Sequence, residues 1–230
     1  SVKSVVDGED ILFVKGSGWD LVSIKAEGFA PVKMETLLQM AELKELSDSD
    51  MVSTQKAAMI DKSAPNPSVE AILHAIIPFK VVDHTHADAI VTMSNSKTGL
   101  KNIEEVFPNF LVVPYIMPGF ILASKINEMI QNVDWSECEG IILHNHGIFT
   151  FDDDAKTSYK KMIDSVTLAE EFLKREAEVT LSQKEATFFD VSSLKIDEFI
   201  NVNQTPLALE YASQNNLKEF ASRGVLTPEH

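Results

Sequence analysis

The chain has 230 residues, 44% of them hydrophobic, and its 35 acidic residues against 20 basic ones give a formal net charge of −15. This acidity argues against a nucleic-acid partner, because binding to a phosphate backbone needs a basic surface. No apolar run is long enough to cross a membrane, and the single cysteine, Cys138, cannot form an internal disulfide. We therefore expect a soluble cytoplasmic protein with no membrane partner.

The first half of the chain predicts strands followed by helices. Residues 1–6, 10–16 and 20–28 are short β-branched segments separated by Gly and Asp turns, which is typical of an antiparallel meander. Apolar residues at helical spacing then predict helices over 32–46, 47–62 and 64–78. In the third of these, Ser68 is the expected N-cap and Pro78 the expected stop.

The second half predicts further strands at 80–84 and 109–115, a helix at 121–133, and a strand pair over 140–151 that turns at Asn145 to Gly147. A long amphipathic helix is expected over 152–179. Its apolar stripe is predicted to pack in the core and consists of Tyr159, Met162, Ile163, Val166, Ala169, Phe172 and Leu173. No Gly/Ser/Pro-rich linker interrupts residues 1–230, so these elements predict a single α/β sheet domain of two or three layers.

Two short histidine motifs stand at the ends of predicted strands: His84-Thr85-His86 and His144-Asn145-His146. Side chains at i and i+2 point to one side of an extended segment, so a pair of imidazoles there can share a divalent metal. A lone histidine is more often a hydrogen-bonded core residue. Two such pairs on apolar strands favour a metal site with room for a substrate.

Other candidate site residues lie in the first third of the chain. Glu70 and His74 are one helical turn apart, and their predicted helix ends at Pro78, shortly before the strand that carries the first histidine pair. This places the Glu70 carboxylate near the predicted metal, where it could move a proton. A glutamate on the surface of the helix is the alternative. Two segments could hold an anion: the loop Gly16, Ser17 and Gly18, and Ser68 at a helix start. Taken singly, each is more often an ordinary turn or cap.

Four segments in this order, VKGSGWDL, PSVEAILHA, DHTHADAI and HNHGIFTF, resemble the class II aldolase/adducin family. Within it the chain is most similar to the aldolase domain of bifunctional rhamnulose-1-phosphate aldolase/short-chain dehydrogenase proteins, and the likeness extends from Ser1 to the terminal RGVLTPEH. The resemblance implies a three-layer α/β/α fold with a mainly antiparallel central sheet. It also implies a homotetramer.

Residue by residue, the resemblance implies zinc, or another divalent metal, held by His84, His86 and His146, with Glu70 as the catalytic acid/base. Ser17, Gly18 and Ser68 match positions that hold the substrate phosphate. His144 has no counterpart among the family's ligands. Val69 stands where single-domain aldolases often have a second serine.

The function implied is metal-dependent cleavage of a ketose 1-phosphate, rhamnulose 1-phosphate first among them, to dihydroxyacetone phosphate and lactaldehyde. Sugar-phosphate 4-epimerisation at the same site and a non-catalytic, adducin-like assembly module are the alternatives. The family's phosphate loop begins before the serine that Ser1 resembles, and bifunctional relatives continue into a dehydrogenase domain. We therefore expect a few N-terminal residues and any such domain to lie outside the chain.

The segment VPYIMPGF contains Tyr115, Met117 and Phe120 among prolines and glycines. A buried strand is not expected there, so these side chains predict an exposed patch at a subunit interface, near a neighbour's metal site, with Tyr115 also a candidate for substrate contact. Packing beneath the chain's own helices is the alternative.

Overall fold

A computed structural model of the protein describes residues 1–176, 208, 211, 215 and 217–222. Its strands are β1 Val2–Val6, β2 Glu9–Lys15, β3 Phe29–Lys33, β4 Val81–Thr85, β5 Phe110–Val113, β6 Gly140–Leu143 and β7 Gly147–Asp152. Its α-helices are α1 Met34–Ala41, α2 Asp48–Ala57, α3 Ala71–Ile76, α4 Asp88–Ser94, α5 Gly99–Val106, α6 Phe120–Ile130, α7 Ala155–Glu176 and α8 Leu217–Ser222.

Within the described part, the strands form one sheet in the order β3-β2-β1-β4-β7-β6-β5. Every neighbouring pair is antiparallel except β5 and β6. The predicted mainly antiparallel sheet is confirmed. Its centre matters most for the site, because β4 pairs with β7 and sets His84 opposite Phe149.

The sheet has helices on both faces. Along β6 and β7, Ile141 and Phe149 join one hydrophobic cluster, whereas Ile142 and Ile148 join the other. This alternation follows from the two-residue period of a strand, which sends successive side chains to opposite faces. Helices α1, α3 and α6 pack together on the first face, and α4, α5 and α7 on the second. The three-layer α/β/α architecture is thereby confirmed.

Several local predictions agree with the structure. The second predicted helix, 47–62, begins as expected after Ser47, whose hydroxyl accepts the Asp50 backbone N–H, but it ends at Ala57. The long helix, predicted from 152, begins at Ala155, and Asp154 accepts the Thr157 N–H there. The strand pair β6–β7 turns through Asn145, which has a φ of 58°. The final predicted residues of the long helix, 177–179, lie outside the described residues.

Other predictions were wrong. The third strand is not 20–28, which forms turns and a 3-10 helix at Ala26–Gly28; it is Phe29–Lys33. Pro31 lies in this strand, which is tolerated because β3 is at the edge of the sheet. Helix α1 ends at Ala41, short of the predicted 46. Helix α3 begins at Ala71, so Ser68 is not its N-cap, although its end before Pro78 is as predicted.

Helices α4 and α5 were not predicted. Their apolar residues form short runs, such as Ala89, Ile90 and Val91, without a helical period long enough to identify a helix. Among the described residues, no helix combines the length and apolar character needed to cross a bilayer.

A candidate metal centre at the end of the central strands

Three elements bring four polar side chains to one end of the central strands. Strand β4 carries His84 and ends at Thr85, one residue before His86. The β6–β7 turn presents His146, because β7 runs antiparallel to β4. Glu70 occupies the N-cap position of α3. His84 and His146, which are far apart in the sequence, are therefore brought close together by the pairing of β4 with β7.

The four side chains converge closely. The Glu70 carboxylate lies 3.1 Å from His84 Nε2 through one oxygen and 3.0 Å from His146 Nε2 through the other. The Nε2 atoms of His84 and His86 are 2.9 Å apart. One nitrogen or oxygen from each of the four residues lies within 4.8 Å of every other. This is the clustering expected of ligands around a single small cation.

Because the cluster is buried, it costs folding free energy unless a cation or another ligand binds it. The His146 side chain is 2% exposed and that of Glu70 is 11% exposed. Glu70 Oε1 and His146 Nε2 are buried and lack a partner in hydrogen-bond geometry among the described residues, although they lie 3.0 Å apart. Because an unsatisfied buried polar atom costs about 1–3 kcal/mol, the geometry fits a group that receives lone pairs from both.

The structure also fixes the tautomer of His84. Its Nδ1 lies 3.0 Å from the Ile148 carbonyl oxygen, which can only accept a hydrogen bond. Nδ1 therefore carries a proton, so Nε2 is the ring nitrogen that faces the cluster and that a metal would bind, which is the usual arrangement of a metal-binding histidine. The Phe149 ring stacks on His84 with centroids 4.0 Å apart and holds its plane.

Glu70 is held as a carboxylate. Burial alone would raise its pKa, but the nearby His84 and His146 imidazoles outweigh that effect and hold the pKa well below the usual value. A buried, ionised carboxylate beside three imidazoles can either bind a cation or accept a proton from a bound molecule.

The cluster opens into a cavity of about 1450 Å³. The loop Gly16, Ser17 and Gly18 lines this cavity, as does Ser68. Residues predicted to bind phosphate and residues predicted to bind metal therefore share one pocket.

Two backbone amides of this loop are already hydrogen-bonded within the protein. The Gly16 and Ser17 amides already donate to the carbonyls of Gly28 and Asn66. A Cβ at Gly16 would lie 2.4 Å from the Pro65 ring, so this glycine permits close packing. Gly18, with a φ of +83°, turns the exposed loop. The Ser68 hydroxyl accepts the Glu70 N–H at 3.2 Å, which ties the pocket wall to the carboxylate.

Apolar side chains surround the mouth of the cavity. Tyr115 is 51% exposed and Met117 is 68% exposed, and both line the cavity. Tyr159 and Ile163 of α7 also line it and are exposed, so their predicted place in the core was wrong. The spacing of apolar residues identifies one face of a helix, but it does not show whether that face packs against protein or lines a cavity. Phe120, by contrast, is buried, so the predicted exposed patch does not include it.

The remaining candidates lie outside the cluster. His144 is half-buried, and burial lowers its pKa, but it is not among the four clustered residues. His74 is buried edge-on against His84 and Phe149, as a packing residue would be. The Cys138 thiol is half-buried, and its pKa is raised by burial, which fits an inert side chain.

Two contacts at the site escaped prediction. The buried Ser94 hydroxyl bonds to Asn145, beside His146. A Cβ at Gly147 would lie 2.6 Å from the Thr85 carbonyl oxygen and 2.9 Å from the His86 ring. Neither contact has a signal in the sequence beyond the adjacency of Asn145 and Gly147 to His146.

The chain is similar in sequence to known proteins. The model of the family "Class II Aldolase and Adducin N-terminal domain" matches residues 1–173. This match does not include the terminal segment that contributed to the resemblance. The curated protein "Uncharacterized oxidoreductase YuxG" of Bacillus subtilis is 35% identical over 165 residues, which are 71% of this chain and 24% of that protein. The chain thus spans about a quarter of that relative's length.

Two solved structures share the fold. The N-terminal class II aldolase domain of a conserved protein from Thermoplasma acidophilum is 37% identical, with a TM-score of 0.69 over 75% of this chain and 81% of that one. YgbL from Klebsiella pneumoniae, whose description gives aldolase, epimerase and decarboxylase as alternatives, has a TM-score of 0.53 at 15% identity, over 79% and 82% of the two chains. With a family match over residues 1–173, the chain belongs to the class II aldolase and adducin family.

Proposed function

We propose that the protein is a divalent-metal-dependent aldolase that cleaves a ketose 1-phosphate, with rhamnulose 1-phosphate the first substrate to test. The products would be dihydroxyacetone phosphate and lactaldehyde. The observation that carries the proposal is the buried cluster of Glu70, His84, His86 and His146 at the base of an open cavity. A purely structural domain gains nothing from such a cluster, because its unsatisfied polar atoms oppose folding.

In this proposal His84, His86 and His146 hold the cation. Three neutral imidazoles favour zinc, although other first-row divalent metals accept the same ligands. When bound, the cation would supply Lewis-acid polarisation of the substrate carbonyl.

Glu70 is the proposed acid/base. Its low pKa keeps it ionised at neutral pH, so it can accept a proton from a substrate hydroxyl or carbon. The same carboxylate could instead complete the metal coordination, since it lies as close to His84 and His146 as a ligand would. These two roles differ in whether the metal is retained when the carboxylate is removed.

The substrate phosphate is proposed to lie against the loop Gly16, Ser17 and Gly18 and against Ser68, on the wall of the same cavity. Because the Gly16 and Ser17 amides are already bonded, we assign the contacts to the Ser17 and Ser68 hydroxyls and to the backbone at Gly18. Gly16 then contributes by allowing the loop to pack closely against Pro65.

A substrate screen tests the proposal directly. Purified protein, loaded with zinc, would be incubated with a panel of ketose 1-phosphates and of pentulose phosphates. Released dihydroxyacetone phosphate would be measured by its enzymatic reduction to glycerol phosphate in a coupled assay. We expect release from at least one ketose 1-phosphate and none after chelator treatment. Conversion of a sugar phosphate to its epimer without aldehyde release would instead identify the 4-epimerase activity. Inactivity of the metal-loaded protein on the whole panel would favour an assembly module.

We also propose a closed homo-oligomer, most simply a tetramer, with the exposed Tyr115–Met117 side chains near a neighbour's cavity. At micromolar concentration the protein should sediment at about four times the 25.5 kDa of the chain. Tyr115→Ser combined with Met117→Lys should shift it toward the monomer, because a charge is placed in an apolar contact. Leu100→Lys, at an exposed position on α5 outside the cavity, is the control and should not. A wild-type protein that sediments only as a monomer contradicts the proposal.

A further inference from the structure

The turn that carries His146 is held by a residue from another element. Ser94, the last residue of α4, is 1% exposed. Its hydroxyl accepts the backbone N–H of Asn145 and lies 3.1 Å from Asn145 Oδ1, to which it donates. Both contacts are made to the residue immediately before His146.

Asn145 needs such support because its backbone is in an unfavourable conformation. Its φ of 58° lies in the left-handed region, which costs an L-residue about 1–2 kcal/mol, although asparagine tolerates it better than most. A residue in this conformation stays there only when neighbouring contacts fix it. The direction of the next side chain, His146, follows from the backbone at Asn145.

The same helix is joined to the other ligand segment. Helix α4 begins at Asp88, two residues after His86, and ends at Ser94. One short helix therefore connects the end of the His84–His86 segment to the turn that bears His146. Displacement of its last residue would change the spacing between ligands that come from β4 and from the β6–β7 turn.

We infer that Ser94 is a positioning residue for the metal centre: its hydroxyl fixes the Asn145 backbone and so keeps the His146 imidazole aimed at the cation. This inference rests on the metal site in the proposed function. Outer contacts that orient a metal-binding histidine typically affect metal affinity by about 10–100-fold.

The test measures binding of Zn²⁺ by competition with a chromophoric chelator, and the visible absorption of the Co²⁺-loaded protein. Ser94→Ala should bind Zn²⁺ about 10–100-fold more weakly than the wild type and show altered Co²⁺ bands. Ser94→Thr, which keeps the hydroxyl, should restore both properties. Ser165→Ala is the matched control, because Ser165 is also buried and its hydroxyl bonds to Lys161 of its own helix, away from the cavity.

Ser94→Cys serves if the alanine protein does not fold, because its sulfur, although larger than the hydroxyl oxygen, still occupies the position and is a weaker hydrogen-bond donor and acceptor. It should show a smaller loss in the same direction. Wild-type affinity in Ser94→Ala or Ser94→Cys, or a loss equal to that of Ser165→Ala, overturns the role of Ser94. Failure of the wild-type protein itself to bind Zn²⁺ would instead refute the metal site, and this inference with it.

Discussion

Replacing Glu70 with glutamine is expected to lower the rate of substrate cleavage by about 10²–10⁴-fold, the usual contribution of a positioned general base. Glutamine has the same shape but cannot accept a proton at the same pH. The three imidazoles remain, so the variant should still bind one divalent ion per chain. The measurement is kcat for aldehyde release, together with elemental analysis of the same preparation.

Glu128→Gln is the control for this change of charge, because the Glu128 side chain is 72% exposed and pairs with Lys125 on the surface of α6. It should leave both kcat and metal content unchanged. Cleavage by Glu70→Gln at close to the wild-type rate would remove Glu70 from the mechanism. Loss of the metal from Glu70→Gln would show that the carboxylate is a ligand rather than only a base.

The metal-binding candidates were accessible from sequence because they depend on local geometry. His84 and His86 are two residues apart on an extended segment, and such spacing places both side chains on one side wherever the strand lies. The convergence with His146 is a different matter. It depends on β4 pairing with β7, a long-range contact that no local pattern specifies. There, resemblance to a family supplied what spacing could not.

The errors have equally physical causes. Tyr159 and Ile163 share an apolar stripe of α7 with the buried Met162. The spacing of the stripe does not reveal that Tyr159 and Ile163 line a cavity and stay exposed. Ser94 lies in a helix whose short apolar run has no clear period, so neither the helix nor its contact with Asn145 could be anticipated. The loop Gly16, Ser17 and Gly18 lines the cavity, and its role in binding an anion stays a prediction; the carbonyls that accept the Gly16 and Ser17 amides come from segments distant in sequence.

Removal of His146 tests the metal centre most severely. Loss of an outer contact already costs about 10–100-fold in metal affinity, so loss of a ligand should cost more than about 100-fold. We therefore expect His146→Ala to be purified without stoichiometric zinc and to remain so after zinc is added. A ligand that binds only the folded state stabilises it by about 2.7 kcal/mol at a concentration of 100 times Kd. Zinc should accordingly raise the melting temperature of the wild type but not that of His146→Ala.

His144→Ala is the matched control for this experiment. It removes the same side chain two residues earlier, from a half-buried position outside the cluster, and leaves the Nε2 atoms of His84, His86 and His146 in place. Because the His144 side chain bonds to the Ser94 backbone and not to the cluster, zinc content should stay stoichiometric and a zinc-dependent rise in melting temperature should remain. If His144→Ala loses zinc while His146→Ala keeps it, the ligand assignment is wrong, and the turn between β6 and β7 must present its first histidine to the metal instead of its last.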